Sequence, residues 1–308
     1  MNSGRLCLPI LFLSLLGLCR ASCAQDLAPR AYIISPLHSN AVTLSYSFFN
    51  GSLIFDGSVP ITDSTARVNL PVVSLFHSFG IFGRSANFVA ALPYGVGNFK
   101  GTVSGAEVRA YRSGLFPPTF RLSVNLIGGP AMDLKEFSKW RQKHILGVSV
   151  KLVPPAGQYD PSKVINFGTN RWAVKTELGY SRRWGHWILD AYGGAWLYSA
   201  NDSFFPGANR QTQNATGSFE GHLSYDFKPR LWVSLDGNYW WGGITSINGV
   251  SNPGTNQRNS RVGLTGSIPF TKHQAFKISY SRGAYILYGG NYDNISVAWQ
   301  YSWFGRPN

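Results

Sequence analysis

The sequence predicts an all-β protein: a transmembrane antiparallel β-barrel of about 12 strands, with short periplasmic turns and long extracellular loops. Three observations support this prediction. Apolar residues alternate with polar ones in about twelve segments, which is the period of a strand with two different faces. The connections between these segments are short and long in turn. Aromatic residues make up 15% of the 308-residue chain and gather near segment ends, as they do at both membrane interfaces of such barrels.

The first residues indicate an export signal. Arg5 precedes a Leu-rich run over residues 6–18, which is shorter than the roughly 20 residues that a membrane-spanning helix needs. Small residues follow this run, and Ser22 and Ala24 fit the small-x-small rule for cleavage. We therefore expect residues 1–24 to be a cleaved signal peptide.

The rest of the chain, residues 25–308, is expected to be a single outer-membrane β-barrel domain. All three cysteines, Cys7, Cys19 and Cys23, lie in the predicted signal peptide, so the mature chain would contain no disulfide bond. Two alternatives for the N-terminus are lipoprotein cleavage at Cys23 and a buried N-terminal helix. With 28 Lys and Arg against 14 Asp and Glu, the chain is strongly basic. Because an exported protein rarely meets nucleic acid, we expect lipid headgroups or anionic solutes as partners.

The predicted strands rest on the same kind of alternation. Residues 217–241 show it clearly, because Phe219 and Leu223 alternate with Glu220 and His222. In chain order, the predicted strands are residues 41–49, 67–79, 87–92 or beyond, 120–126, 145–152, 171–180, 187–197, 218–227, 231–241, 261–268, 275–281 and 295–304. The long loops are predicted at residues 51–66, 93–118, 153–170, 198–217, 242–260 and 283–294.

The second strand and the segment that follows the fourth strand each depart from the simple pattern of strands and turns. Pro71 interrupts the alternation of the second strand, which implies a bulge or an edge position. Residues 130–143 fall where a short turn is expected, yet they read as a helix of about three turns. This helix could plug the lumen or cap the periplasmic rim, and a cap is the more ordinary arrangement.

The aromatic residues on the outward face fall into two groups along the barrel axis, one near each membrane interface. If the first strand rises from the periplasm, those near the outer interface include Tyr46, Phe48, Trp172, Tyr239 and Trp241, and those near the inner interface include Tyr180, Trp187, Tyr225, Phe227, Tyr301 and Trp303. A soluble β-sandwich has no reason to sort aromatic residues in this way. The last strand also ends in aromatic residues, as terminal strands recognised by outer-membrane assembly machinery do.

The opposite parity places polar side chains in the lumen. The candidates for contact with a solute are Arg121, Asn125, Lys151, Arg171, Lys175, Glu177, Asp190, Tyr192, Glu220, His222, Asp236, Asn238, Arg261 and Lys277. Ring contacts could come from Tyr192, Trp196, Trp232 and Trp240. Basic residues lie on strands four to six, ten and eleven, and acidic residues on strands six to nine. The charges would either set a transverse field across a narrow pore or pair and fill the interior.

Signals for catalysis, metals and cofactors are weak. The tripeptide at residues 38–40, His-Ser-Asn, contains the residue types of an outer-membrane phospholipase, but consecutive strand residues point to opposite faces. The six histidines show no metal-binding spacing. Gly95, Gly97 and Gly101 do not fit the dinucleotide-binding pattern and read as loop glycines. We therefore expect no enzyme activity, no cofactor and no metal.

Four stretches resemble a known family: DLAPRAYIISPLHSNAVTLSYSF, LPYGVGNFKG, SVNLIGGPAM and PAGQYDPSKVINFGTNRWAVKTELGYS. They are similar to the transporter-like outer-membrane family labelled "putative MetA pathway of phenol degradation", over nearly all of the predicted mature chain. Thr176 stands where the family pattern has Pro, and residues 116–118, Phe-Pro-Pro, stand where it has an Asp-containing turn. The resemblance implies a barrel that admits aromatic or other hydrophobic compounds, and it identifies no functional residue.

Together, these features predict an outer-membrane channel for passive uptake of small organic compounds, aromatic or anionic. Its expected partners are outer-membrane lipid and lipopolysaccharide, the assembly machinery and the solute, and no nucleic acid. Two alternatives remain: a lipid-active, phospholipase-like barrel enzyme, and a structural barrel that binds lipopolysaccharide. For the second alternative, the candidate loop residues are Lys100, Arg109, Arg112 and Arg258.

Overall fold

A computed structural model describes residues 27–55, 61–103 and 105–305. The predicted signal peptide lies outside these residues. The strands are β1 (Ser39–Ile54), β2 (Ile61–Ile81), β3 (Arg84–Val103), β4 (Ala106–Leu115), β5 (Thr119–Ile127), β6 (His144–Val153), β7 (Ala173–Trp184), β8 (Trp187–Tyr198), β9 (Asn201–Phe204), β10 (Asn209–Gln213), β11 (Thr216–Lys228), β12 (Leu231–Gly242), β13 (Thr245–Ile247), β14 (Val250–Asn252), β15 (Gln257–Pro269), β16 (Gln274–Tyr285) and β17 (Gly289–Phe304). One α-helix, α1 (Leu134–Lys139), and a 3-10 turn (Pro253–Thr255) complete the described elements.

Twelve strands close into an antiparallel barrel. Their order around the wall is β1-β2-β3-β5-β6-β7-β8-β11-β12-β15-β16-β17, and β17 pairs with β1. The closing register runs from Ser39 opposite Phe304 to Ile54 opposite Gly289. Closure leaves no strand edge in the wall, which lipid requires because it cannot hydrogen-bond a free backbone group. The predicted fold class is confirmed, and each predicted strand corresponds to one of the twelve.

The strands near the N-terminus extend beyond the barrel. The predicted loops at residues 51–66 and 93–118 were wrong over much of their length, because β1, β2 and β3 continue through them and β4 pairs with the upper part of β3. Gly95, Gly97 and Gly101 therefore lie in a strand and not in a loop. Outside the bilayer, an outward side chain need not be apolar. The alternation that marks a membrane strand is therefore weak there.

Pro71 lies inside the wall and not at an edge. It stands opposite Tyr46 of β1, and the ladder from β2 to β3 keeps the same register on both sides of it. The expected bulge or edge position was therefore wrong. Proline removes one N–H donor from a ladder without changing the register. The register of the β2–β3 ladder shifts instead between Thr62 and Thr65.

The helix at the periplasmic side is shorter than expected. α1 covers part of the predicted segment 130–143 and lies between β5 and β6. Asp133 and Glu136 form a capping box at its N-terminus, each side chain accepting the other residue's backbone N–H. No residue of α1 is buried, so the helix lies at the rim and does not fill the lumen.

A second, four-stranded sheet stands over the extracellular end. Its order is β14-β13-β10-β9, and its strands come from the predicted loops at residues 198–217 and 242–260. These strands have three to five residues each. Such short strands leave too little alternation to be recognised in a sequence. Among the described residues, no helix is long and apolar enough to cross a bilayer, an observation that does not concern strands.

The burial pattern is the reverse of that in a water-soluble protein. Leu189, Leu223, Leu235 and Leu264 stand side by side across four strands on the outer face. Leu235 is 58% exposed, whereas its chain neighbour Asp236 is 2% exposed. Apolar side chains pointing out and charged side chains pointing in are expected where lipid is the outer solvent.

We predict that Leu235→Arg destabilises the folded barrel by about 2–4 kcal/mol, because an arginine on the lipid face near the bilayer midplane loses its hydration. The measurement is the free energy of unfolding in lipid vesicles. Val250→Arg is the matched control, since Val250 is 74% exposed in β14, outside the barrel wall. Equal stability of the two variants would contradict the assignment of the outer face to lipid.

Candidate functional site

Residues 27–38, called the plug from here on, lie inside the barrel. Tyr32 is fully buried and Ile34 is 4% exposed. The plug is held by its backbone: the Ala31 N–H donates to the Tyr192 hydroxyl at 3.1 Å, and the Asn125 amide donates to the Tyr32 carbonyl at 3.1 Å. The plug joins β1 at the end of the barrel that carries the short turns, where the Gly305 N–H donates to the His38 carbonyl at 2.8 Å. The two hydrogen bonds at Ala31 and Tyr32 and the buried apolar side chains make the plug part of the lumen wall.

A pair of glycines receives the Tyr32 ring. Gly147 of β6 and Gly179 of β7 stand opposite each other, and a Cβ on either would overlap this ring. The Tyr32 hydroxyl bonds to Ser149 Oγ at 2.9 Å and donates to Glu177 Oε1 at 3.0 Å. Gly147 and Gly179 therefore form a socket that fits Tyr32 and fixes the height of the plug.

Charged side chains clamp the plug around Tyr32. The Arg121 guanidinium lies over the Tyr32 ring at 4.8 Å from its centroid. The Arg30 guanidinium lies 4.3 Å from the centroid of the Trp232 ring and pairs with Asp226 at 2.7 Å. The plug therefore bridges from β5 on one side of the lumen to β12 on the other.

A buried network of charges lines the wall behind the plug. Lys175 Nζ pairs with Glu220 Oε1 at 2.9 Å and with Glu177 Oε2 at 2.5 Å. His222 Nδ1 bonds to Asp236 Oδ1 at 2.8 Å, and Thr265 donates to Asp236 Oδ2 at 2.6 Å. Two arrangements were expected for the lumen charges, a transverse field across the pore or mutual pairing. In this part of the lumen the charges are paired.

The fourteen predicted lumen residues all point inward, but they separate into groups. One connected group surrounds Tyr32 and the network, namely Arg121, Lys175, Glu177, Glu220, His222 and Asp236. Another holds the plug, namely Asn125, Asp190 and Tyr192. Asn238 is buried between Glu220 and Arg261 in register, and Arg261 lies over the Tyr292 ring at 4.1 Å. Lys151, Arg171 and Lys277 line open space.

That open space is a cavity of about 590 Å³, bounded in part by Leu27 of the plug. Much of its lining comes from β1, β16 and β17, and it also reaches β6, β8 and β12 through Lys151, Tyr198 and Trp240. Its lining contains the basic residues Lys151, Arg171 and Lys277, and no acidic residue from the described part of the chain. The described lining of this cavity thus carries a net positive charge.

Aromatic rings form the upper wall of the cavity. Phe116 and Phe167 stack with centroids 4.5 Å apart, and Phe99 lies 6.4 Å from Phe167. A Cβ at Gly95 or Gly97 would collide with these rings, so the two glycines make room for them. Sequence reasoning missed this cluster because Phe167 comes from a loop, where residue parity carries no information.

The loop that carries Phe167 is tied by local hydrogen bonds. Asn166 Oδ1 accepts the N–H of Asp160 at 2.8 Å. Asp160 accepts the Ser162 hydroxyl at 2.6 Å and pairs with Lys163 at 2.9 Å. These partners, first the Ser162 hydroxyl and then Lys163, lower the pKa of Asp160 to about 2. The loop is thus ordered by turn chemistry.

The His-Ser-Asn tripeptide does not form a catalytic arrangement. The Ser39 hydroxyl donates to the Pro36 carbonyl at 2.6 Å. The side-chain oxygen of Asn40 bonds to the His77 ring at 2.7 Å, and its amide donates to the backbone carbonyl of His38. These contacts fix the start of β1, which is the role of a turn.

Comparisons with known proteins agree with this architecture. The chain matches the family described as "Putative MetA-pathway of phenol degradation" over residues 50–286. An outer-membrane channel from Pseudomonas putida F1 superimposes with a TM-score of 0.74 at 18% identity, covering 90% of this chain and 100% of that one. The transport unit of the autotransporter AIDA-I from Escherichia coli gives 0.50 at 10% identity, covering 91% and 93%. At these identities, the two structures show the fold alone. No curated protein sequence matched the chain.

We predict that Gly179→Val releases the plug and raises ion conductance several-fold, because the new side chain occupies the place of the Tyr32 ring. The measurement is single-channel conductance in planar bilayers. Gly193→Val on β8 is the control, since a Cβ there meets no atom within 4 Å. Unchanged conductance of a folded Gly179→Val barrel would contradict the seating of Tyr32.

We also predict that Lys175→Met lowers the free energy of unfolding by about 3–5 kcal/mol, because it removes the ammonium group that two buried carboxylates, Glu177 and Glu220, share. Urea unfolding in lipid vesicles measures the effect. Arg210→Met is the control: Arg210 pairs with Asp202 at 2.9 Å, but both side chains are about two-thirds exposed. Its change should stay within about 0.5 kcal/mol. A similarly small change for Lys175→Met would show that the network does not stabilise the lumen.

Proposed function

Because this chain belongs to the family described as "Putative MetA-pathway of phenol degradation", we propose that it is an outer-membrane channel for passive uptake of small organic compounds, aromatic or anionic. The observation that supports this most directly is the composition of the lumen cavity. Aromatic rings and three basic side chains line it, without any acidic residue among the described ones. Such a lining attracts an anion and gives its apolar part a surface to contact.

The size of the cavity suits a compound with one ring. Small-molecule sites have volumes of about 300–1,000 Å³, and this one has about 590 Å³. Selectivity in a narrow channel arises from its diameter and from the charges that line it. A pore of this kind would pass a small aromatic anion more readily than a cation of the same size.

The plug sets the width of the conduit. It packs against β5 to β12, and the cavity lies beside it, with Leu27 of the plug, Thr43 and Lys277 in its lining. In our proposal, solutes pass through this cavity, and movement of the plug widens the path. Passage would be passive, because the solute would move down its own concentration gradient.

We propose export through a signal peptide, residues 1–24, and insertion into the bacterial outer membrane by the assembly machinery, which would recognise β17. Lipid and lipopolysaccharide would contact the outer face. Of the four candidate loop residues for lipopolysaccharide, Lys100 and Arg109 share Glu107, at 2.6 and 2.7 Å, and Arg112 donates to the Ile165 carbonyl. These contacts favour the channel over a barrel specialised for lipopolysaccharide. No cofactor, nucleic acid or enzyme activity is part of the proposal.

The test is conductance in planar bilayers, with reversal potentials measured in a salt gradient. We expect chloride to pass in preference to potassium. In vesicle flux assays, benzoate should pass faster than benzylammonium, which has a similar size and the opposite charge. Vesicles without protein are the control. A cation preference, or no flux above the protein-free vesicles, would refute the proposed function.

A further inference from the structure

We propose that Lys277 and four serine hydroxyls form a binding site for the carboxylate of the transported solute. The inference rests on the proposed function and narrows the substrate class to monocarboxylates with an apolar body. The serines are Ser45 and Ser47 of β1, Ser279 of β16 and Ser296 of β17, called the hydroxyl cluster below. All of them line the cavity.

Lys277 differs from the other lumen lysines in its surroundings. No carboxylate of the described residues lies within 4.0 Å of its ammonium group, and its Nζ lies 5.8 Å from the centroid of the Trp232 ring. Lys175, by contrast, pairs with two glutamates. The nearby Asp236 is already bonded to His222, Ser234 and Thr265. A positive charge in a confined space without a counterion is suited to an anionic ligand.

The hydroxyl cluster lies next to this charge by register. Lys277 stands opposite Ala298, which stands opposite Ser45. Two residues further along the strands, Ser279, Ser296 and Ser47 stand side by side. Successive inward rows are about 7 Å apart, which the lysine side chain can span.

The four hydroxyls have no side-chain hydrogen-bond partner within the described part of the chain. Thr265, which stands opposite Ser279, differs from these four serines because its hydroxyl donates a hydrogen bond to Asp236. A carboxylate has two oxygens that accept several hydrogen bonds. One ammonium group and a set of unengaged hydroxyl donors on adjacent strands supply those bonds in one place.

The other two cavity cations are held by neighbours. Arg171 donates to Gln213, and its guanidinium lies 4.5 Å from the Tyr198 ring centroid. Lys151 Nζ lies 5.8 Å from the Trp196 ring centroid and has further contacts. These two residues add positive potential to the cavity, whereas Lys277 is positioned to contact the solute.

The surroundings of the site define the rest of the solute. Leu70 stands opposite Ser47, and the next row carries Phe49 opposite Val68. A carboxylate at Lys277 would therefore have aliphatic and aromatic side chains around the group attached to it. A second carboxylate on the solute would have to lie among these apolar side chains, which is costly. The site therefore favours monocarboxylates such as benzoate over dicarboxylates such as phthalate.

The experiment compares the flux of benzoate and of neutral benzamide into vesicles that contain the full mature barrel. For Lys277→Met, we expect benzoate flux to fall about tenfold, the scale of losing a hydrogen bond to a charged group. Benzamide flux should change less than twofold. The double variant Ser279→Ala and Ser296→Ala should lower benzoate flux several-fold and, like Lys277→Met, change benzamide flux much less.

Lys272→Met is the matched control, since Lys272 is exposed in the short turn between β15 and β16 and does not line the cavity. This variant should keep the ratio of benzoate to benzamide flux within about twofold of the native protein. Lys277→Arg keeps the charge and should retain the preference for benzoate. Folding of each variant is judged by heat-dependent mobility in gels. If Lys277→Met does not fold, Lys277→Arg still tests whether a positive charge at this position keeps the preference for benzoate. Equal loss of both fluxes in folded Lys277→Met, or an unchanged ratio, would overturn the site.

Failure of the proposed function gives a different result. In that case the native barrel passes neither solute, although benzoate binding to it can still be measured by calorimetry. Benzoate binding that is lost in Lys277→Met would support the site without the channel. Binding that is unchanged in this variant would overturn the site.

Discussion

Closure of the hydrogen-bonded wall is the constraint on which the rest of this structure depends. In a bilayer, every backbone N–H and C=O of the wall needs a partner within the protein, and pairing of β17 with β1 completes the ring. Once the ring is closed, residue parity decides the environment of each side chain. Leu235 faces lipid and Asp236 faces the interior because they are neighbours on one strand. The inverted burial pattern is thus a consequence of backbone pairing and not a separate feature.

A ring of twelve strands encloses little space, and this chain divides that space into two halves. The half along β5 to β12 is filled by the plug and by ion pairs, because charges in a confined interior need partners. The open space adjoins β1, β16 and β17, which carry hydroxyl groups and Lys277, and it extends to Lys151 of β6 and to the rings of Phe116 and Phe167. Stability therefore depends mainly on the plug and the ion pairs, whereas the proposed path of the solute depends on the side chains that line the open space.

Residue parity explains what could be predicted from the sequence. A strand between lipid and a wet lumen must alternate, so the twelve wall strands and the inward direction of residues such as Lys175 and Lys277 could be read directly. Parity says nothing about contacts across the lumen. The plug has no alternation, and the fit of Tyr32 to Gly147 and Gly179 joins residues more than one hundred positions apart. Above the membrane both faces of a strand meet water, and for this reason the extension of β3 and β4 looked like a loop.

The position of Leu27 has a practical consequence for handling the protein. Leu27 lines the cavity, close enough to Gly263 that a Cβ there would touch it. Any affinity tag or fluorescent fusion joined directly ahead of this residue would start within the conduit and obstruct it. The short segment between β9 and β10, residues 205–208, contributes no residue to the cavity lining and is a better place for an insertion. Purification and imaging reagents are therefore best attached at the cell-surface side of the molecule.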